Sequence, residues 1–401
     1  MDFYIQMGHG MQSMSKELLA LWGGGTVILS PRDIQVERLS KFSLEVAKLN
    51  GSVVFDPQLY FPEKEHRKLI QYDYWKTSVD EDVLRGRCEE TIEKLALMNE
   101  GINAEAFILP SASARKITTG WNEAQLRIIE CGYRHSPETR IWQTVTLSPD
   151  VIADEEQVET IVHYAEGWSV DGVYLVFERP DDAYLVDRPE WMANLLSLVA
   201  GIGRQDKKTI VGYASQQLLC LALAGCDAIA SGNFLNVRKF HPARFENNDD
   251  SSPSRRATWY YSPQAFSEYK VTFLDIADRL ALLSTMKPPA SMINQFSDML
   301  FAGVKPSSTS YSEFHSHRHY LHCLRQQSLE ATRATYEDTR DGYFSALDTA
   351  SILLDALRKK GIRGQDRDFG DIVDVNRAAL AAFNDEWGSA LSHSWKSSFV
   401  K

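Results

Sequence analysis

The sequence predicts a (β/α)₈ barrel, and three observations predict it. Eight short apolar runs recur between residues 3 and 233. Each run leaves on proline, glycine or small polar residues. Mostly helix-like stretches lie between them, and strand alternating with helix, eight times over, is the pattern of such a barrel.

The runs are 3–7 (FYIQM), 26–32 (TVILSPR), 52–58 (SVVFDPQ), 106–112 (AFILPSA), 140–147 (RIWQTVTL), 172–179 (GVYLVFER), 209–214 (TIVGYA) and 227–233 (DAIASGN). Their β-branched and aromatic content marks strands. The Asp-Pro, Pro-Ser and Arg-Pro pairs at the third, fourth and sixth mark exits, because proline cannot donate to a ladder. Helical patterning covers 15–21, 36–49, 81–98, 155–166, 191–199 and 215–224. The span 60–103 is long enough for an inserted loop, rich in Tyr60, Phe61, Tyr72, Tyr74 and Trp75. Beyond residue 240 the pattern changes. Residues 241–262 contain NNDDSSPSRR and read as a mobile polar loop, and from Pro263 onward the chain reads as all helical (265–286, 291–301, 313–340, 343–360, 371–390). The expected organisation is a catalytic barrel at 1–245 and a mobile loop with a helical extension at 246–401.

With 401 residues, 44% of them hydrophobic, the chain can bury a large core. No apolar stretch reaches the roughly 18–20 residues that span a bilayer. The five cysteines are scattered and form no CxxC motif, which suits reduced thiols and a cytoplasmic location. The net charge of −11 gives no whole-molecule attraction to nucleic acid, so a polyanion would need a local basic surface. Candidates for one are Arg238, Lys239, Arg244, Arg255 and Arg256 after the eighth run, and Arg318 further on.

A barrel places its chemistry at the carboxyl ends of its strands. Asp56 leaves the third run and Glu178 the sixth, and rim carboxylates serve as acid, base or charge stabiliser. Each has a plainer reading, Asp56 as a turn cap and Glu178 as an ion pair with Arg179. His9 lies between two glycines that allow close approach of a ligand. Gln58, Tyr60, Ser111, Thr146, Tyr213, Ser231 and Asn233 also sit at run ends, where they can bond the edge of a heterocycle or satisfy turns. On one helix His315, His319 and His322 share a face, so zinc is conceivable there; otherwise no metal or cofactor is expected.

From the sixth run onward, WSVDGVYLVFERP and KTIVGYASQQLLCLALAGCDAIASGNFLNVR resemble the corresponding segments of the tRNA-guanine transglycosylase superfamily in order and spacing. VVFDPQLYF falls where that family carries its first catalytic aspartate, which implies a role for Asp56 at the target base. HYLHCLRQQSLEATRATYEDTRDGYFSALDTASILLDALRKKGI is similar to its helical tail. The departures matter. The family's nucleophilic aspartate aligns with Ala230 or Ser231, its zinc cysteines fall near Ser308, Ser310 and Glu313, and its base-recognition segment aligns with residues 145–149. Base exchange needs a covalent sugar intermediate and hence a placed nucleophile. Its loss favours hydrolysis, as in DNA-acting relatives that strip modified bases from phage genomes. The expectation is a DNA N-glycosylase serving antiviral defence, with Asp56 and Glu178 as catalytic carboxyls and loop aromatics holding a flipped base. The alternatives are a base-exchange enzyme acting on DNA or tRNA, and a non-catalytic nucleic-acid-binding barrel.

Overall fold

The computed structural model describes residues 1–62, 64, 66–75, 88–246 and 257–395. Eight parallel strands wind into a nearly closed barrel of the (β/α)₈ type: β1 (Asp2–Gln6), β2 (Gly25–Leu29), β3 (Gly51–Phe55), β4 (Phe107–Leu109), β6 (Ile141–Leu147), β7 (Gly172–Phe177), β8 (Lys208–Val211) and β9 (Ala228–Ser231). A two-residue strand, β5 (Ser113–Ala114), extends the edge of β6. The ladder runs β3-β2-β1-β9-β8-β7-β6-β4. At the seam between its ends, the Glu105 amide donates to the Val53 carbonyl at 2.9 Å.

All eight expected strands form, each within a few residues of its run. The helix over Glu155–Glu166 matches its expected bounds, with the Asp154 carboxylate accepting from the amides of Glu156 and Gln157. Where 215–224 reads as an α-helix, Gln216–Ala224 coils as a 3₁₀ helix. Part of the expected 81–98 helix lies outside the described residues; the structure carries it as Cys88–Gly101. An α-helix over Thr119–His135, which the sequence reading passed over, starts at Thr118, whose side chain accepts from the Trp121 amide.

Strand alternation sets what faces the barrel axis. Tyr4 of β1 and Trp142 of β6 stack across the interior, with ring centroids 6.4 Å apart and planes at 15°. The same phase points Gln6, Thr144, Thr146, Tyr174 and Ala230 inward, and leaves Ser231 outward.

The region after β9 corrects two expectations. Trp259–Ser262 (β10) and Ser267–Lys270 (β11) form an antiparallel hairpin where the sequence suggested loop and then helix. Phe266 turns it at φ 48°, a left-handed conformation uncommon for an aromatic. The stretch 291–301 is irregular with two short 3₁₀ turns. The two helices expected over 313–340 and 343–360 form as Glu313–Ala331 and Tyr336–Arg358, with the break between them falling earlier, at 332–335. These C-terminal elements pack on the barrel's outside. Ser328 donates to the carbonyls of Met1 and Asp2, the Met1 amino group donates to Thr332, and Trp387 of the helix Val373–Ser394 donates to Ser197 of the helix Pro189–Gly203. Among the described residues, no helix is long and apolar enough to cross a membrane.

Candidate functional site

Asp56 follows β3 directly, and the strand's inward phase aims it at the barrel axis. Pro57 stops the ladder. Gln58 then turns at φ 54° and donates its amide to Asp56 Oδ1 at 3.0 Å, an Asx-type turn. The other oxygen, Oδ2, faces three phenols: Tyr60 Oη at 2.7 Å, Tyr174 Oη at 3.3 Å and Tyr213 Oη at 3.4 Å. They come from the loop after β3, from the middle of β7 and from the turn after β8. Tyr213 holds φ at 53°, a strained backbone for an aromatic and one that tends to persist where surroundings demand it. Gly212 makes room for Tyr174, since a Cβ there would collide with Tyr174 Oη.

The cage is dry. Asp56 has no exposed surface, and Tyr60, Tyr174 and Tyr213 are buried. Burial pushes the Asp56 carboxyl up to about 6, against the opposing pull of its hydrogen bonds from Tyr60, Gln58, Tyr174 and Tyr213. Burial first, and the Asp56 charge second, drive the three phenols well above 10, so they remain donors. Phe240 and Phe245, from the segment after β9, roof the cage. Their rings lie 5.0 Å from Tyr60, and Phe240 lies 5.4 Å from Tyr213.

Gln58 and Tyr213, both expected from their places at run ends, join this cage directly: Gln58 Nε2 donates to Tyr213 Oη at 3.1 Å and to Ser30 Oγ at 2.8 Å. Thr146 points inward, fully buried, and its hydroxyl has no hydrogen-bond partner among the described residues. Tyr174 was missed because a tyrosine inside an apolar run is indistinguishable from core. Glu178 lies one residue past β7, half-buried and four residues beyond Tyr174; the shell around Asp56 consists of Tyr60, Tyr174, Tyr213 and Gln58.

Other expected contacts sit elsewhere. Ser111 bonds Gln125 of the outer helix Thr119–His135 and the Ala112 carbonyl. Ser231 faces out of the barrel beside Tyr320, so it does not line the axis. Asn233 donates to the His9 carbonyl, while the His9 residue is exposed. Tyr74 and Trp75, expected to grip a base, are buried, and Tyr74 donates to the Pro57 carbonyl.

The cationic expectations are also revised. Arg238 is buried, paired with Glu268 at 3.1 Å, bonded to the carbonyls of Gly232 and Asn233, and laid 3.4 Å over the Tyr320 ring. Arg318 is buried against Glu17 at 2.7 Å, and Lys239 pairs with Asp182 at 2.6 Å. An arginine whose donors are spent on protein acceptors has no face for a phosphate. Arg255 and Arg256 lie outside the described residues.

The histidine face does not converge either. His315 bonds Ser312 at the helix start, buried His319 bonds the Tyr261 carbonyl and Asn294, and His322 accepts from Trp22. Among the described residues no three His, Cys, Asp or Glu side chains are grouped to hold a metal ion. No protein-family model matches the chain, and no curated protein matches it.

Proposed function

We propose that the protein is a DNA N-glycosylase that hydrolyses the bond between a modified nucleobase and its deoxyribose in phage DNA, leaving an abasic site in the service of antiviral defence. The observation that carries the reading is Asp56. It is an inward, buried carboxyl at the end of the barrel where the strands' carboxyl termini lie, its pKa raised to about 6, within reach of three phenolic donors.

In the proposed reaction the C1′–N bond breaks, the base leaves with the electron pair, and positive charge develops on the sugar. Water adds to C1′ and gives its proton to a carboxylate. Near pH 7 Asp56 is mostly ionised, which suits it to steady the cation and accept that proton. Glu178, at the rim, is assigned to protonate the departing base. The inward residues of β9 are Ala228 and Ala230, both methyl groups, so no carboxylate stands there to bond the sugar; this favours hydrolysis over base exchange. A base entering the mouth has to leave its stack and displace or stack on the Phe240–Phe245 roof.

One observation favours a second reading, a non-catalytic barrel that binds nucleic acid. Both oxygens of Asp56 are already bonded within the protein, as in a structural carboxylate. The two readings separate on a direct test. Purified protein is incubated with modified phage DNA and with unmodified DNA, and alkali-labile sites are counted. The glycosylase reading expects them in the modified DNA alone and expects Asp56→Asn to abolish them. Binding without strand lability in either DNA rejects it.

A further inference from the structure

Gln58 meets the Asp56 carboxylate from both sides. Its backbone amide donates to Oδ1, and its buried side chain lies against Tyr213, one of the phenols that face Oδ2. Neighbours fix which end of the side-chain amide is which. The Arg32 backbone amide, which can only donate, faces Gln58 Oε1 at 3.3 Å, so the oxygen stands there and the nitrogen opposite. The two N–H groups of Nε2 then go to Ser30 Oγ at 2.8 Å and Tyr213 Oη at 3.1 Å. Two chains of hydrogen bonds leave this nitrogen, and each ends on a carboxylate. On one side Ser30 donates to Asp33 Oδ2 at 2.9 Å, where Arg244 also donates at 3.4 Å. On the other side Tyr213, its oxygen occupied by Gln58, has Asp56 Oδ2 at 3.4 Å to receive its proton. Both amide hydrogens are spent in this way, so Gln58 has no donor left for a base.

We propose that Gln58 is the positioning residue of the cage: its side-chain amide, anchored by Arg32 and Ser30, turns the Tyr213 hydroxyl proton onto Asp56 and keeps it there. A phenol hydroxyl carries one proton and rotates about its C–O bond, so a neighbour must set its direction. Tyr60 reaches Asp56 at 2.7 Å and holds its own alignment. Tyr213 stands at the longest of the three phenol distances and depends most on a second partner. Donation into its oxygen also polarises the O–H, which strengthens the bond it makes onward. The consequence falls on the charge state of Asp56. Burial raises this carboxyl and its donors, Tyr213 among them, pull it back, so losing one aligned donor lets it rise further. The inference rests on the glycosylase reading in taking Asp56 as the working carboxyl. It deepens that reading by naming a residue that keeps the carboxyl ionised near neutral pH.

The test uses full-length protein carrying Gln58→Met or Gln58→Gly, each also made with Asp56→Asn. Methionine fills much the same space without a donor. Glycine suits the φ of 54° and keeps the backbone amide on Oδ1, so it removes the side chain alone. Urea unfolding across pH 4 to 8 gives the stability difference between each protein and its Asp56→Asn counterpart. That difference levels off at the pH where folded Asp56 has ionised. Both variants should level off about half to one pH unit above wild type, the worth of one neutral hydrogen bond. Added to Tyr213→Phe, Gln58→Met should move that pH no further, because the phenol hydroxyl it acts through is gone. Lower stability with the levelling pH unmoved marks a merely structural side chain and overturns the inference, as does a full shift that persists on Tyr213→Phe. The acid limb of base release from modified phage DNA should rise by the same amount. A shifted levelling pH with no release by wild type defeats the glycosylase mechanism and leaves the role of Gln58 standing. Release whose acid limb is identical in wild type and both variants does the reverse.

Discussion

Replacing Asp56 with asparagine tests the site through stability before any substrate is known. The Asp56 carboxyl titrates near 3.8 when exposed and near 6 in the folded chain. A raised folded pKa means the native state favours the proton, so ionisation works against folding. The penalty is absent below pH 4, grows as pH rises through 4 to 6, and is complete above 6. About two pKa units correspond to about 3 kcal/mol of lost stability at pH 7.5. Asparagine has nearly the same shape and no charge; its one carbonyl oxygen still accepts from the Gln58 amide, while its NH2 group replaces the oxygen that faced the phenols and can donate to a phenol oxygen. The variant should therefore be more stable than wild type at pH 7.5, by up to about 3 kcal/mol less whatever the altered phenol contacts cost. The difference should shrink to near zero at pH 4. Urea unfolding of both proteins at half-unit steps from pH 4 to 8 measures it, and comparing the two cancels every other titrating group. A variant less stable than wild type across the whole range, or a difference that does not change with pH, refutes a strained buried carboxylate. Stability gained where activity is lost is the trade-off expected of a functional group.

Other perturbations have equally definite outcomes. Gly212→Ala drives a methyl into Tyr174 Oη and should destabilise by about 1–3 kcal/mol, read in thermal melts, with Tyr174→Phe in the same chain relieving part of the loss. Glu268 is buried between Arg238 at 3.1 Å and Arg367 at 2.9 Å; burial raises its pKa, but the two guanidinium groups outweigh that and hold it below its usual range. Glu268→Gln strands two cations and should cost roughly 3–5 kcal/mol in denaturant unfolding. His319 is pushed down to about 4 by burial, so its contribution is present above pH 6.5 and lost as pH falls toward 4; His319→Gln should flatten the acid side of the stability profile. If DNA is the partner, its affinity should fall steeply between 50 and 200 mM salt, and a flat response would argue against phosphate contacts.

The barrel was legible because its strands are bounded by residues with clear backbone meaning. Asp56-Pro57 and Arg179-Pro180 stop ladders, and the β-branched runs between them fill a buried sheet. The hairpin at Trp259–Lys270 was not. Its strands have four residues each, its turn places Phe266 in a left-handed conformation, and the helical composition that follows obscures it. The site was half legible. Asp56, Gln58, Tyr60 and Tyr213 stand at strand ends, where function is expected, and they come together. Tyr174 lies inside a strand, where alternation places it only once a partner strand fixes which face is inward. Arg238 and Arg318 misled for a related reason: a cation's sequence neighbours do not reveal the carboxylate that long-range packing brings to it.

The most direct measurement is mass-spectrometric quantification of free base released from modified phage DNA by wild type and by Asp56→Asn, at steps from pH 5 to 8. The account predicts release by wild type that declines below about pH 6 as Asp56 takes up its proton, and none from the variant at any pH. Equal release from both proteins, or release by wild type indifferent to pH across that range, would contradict it.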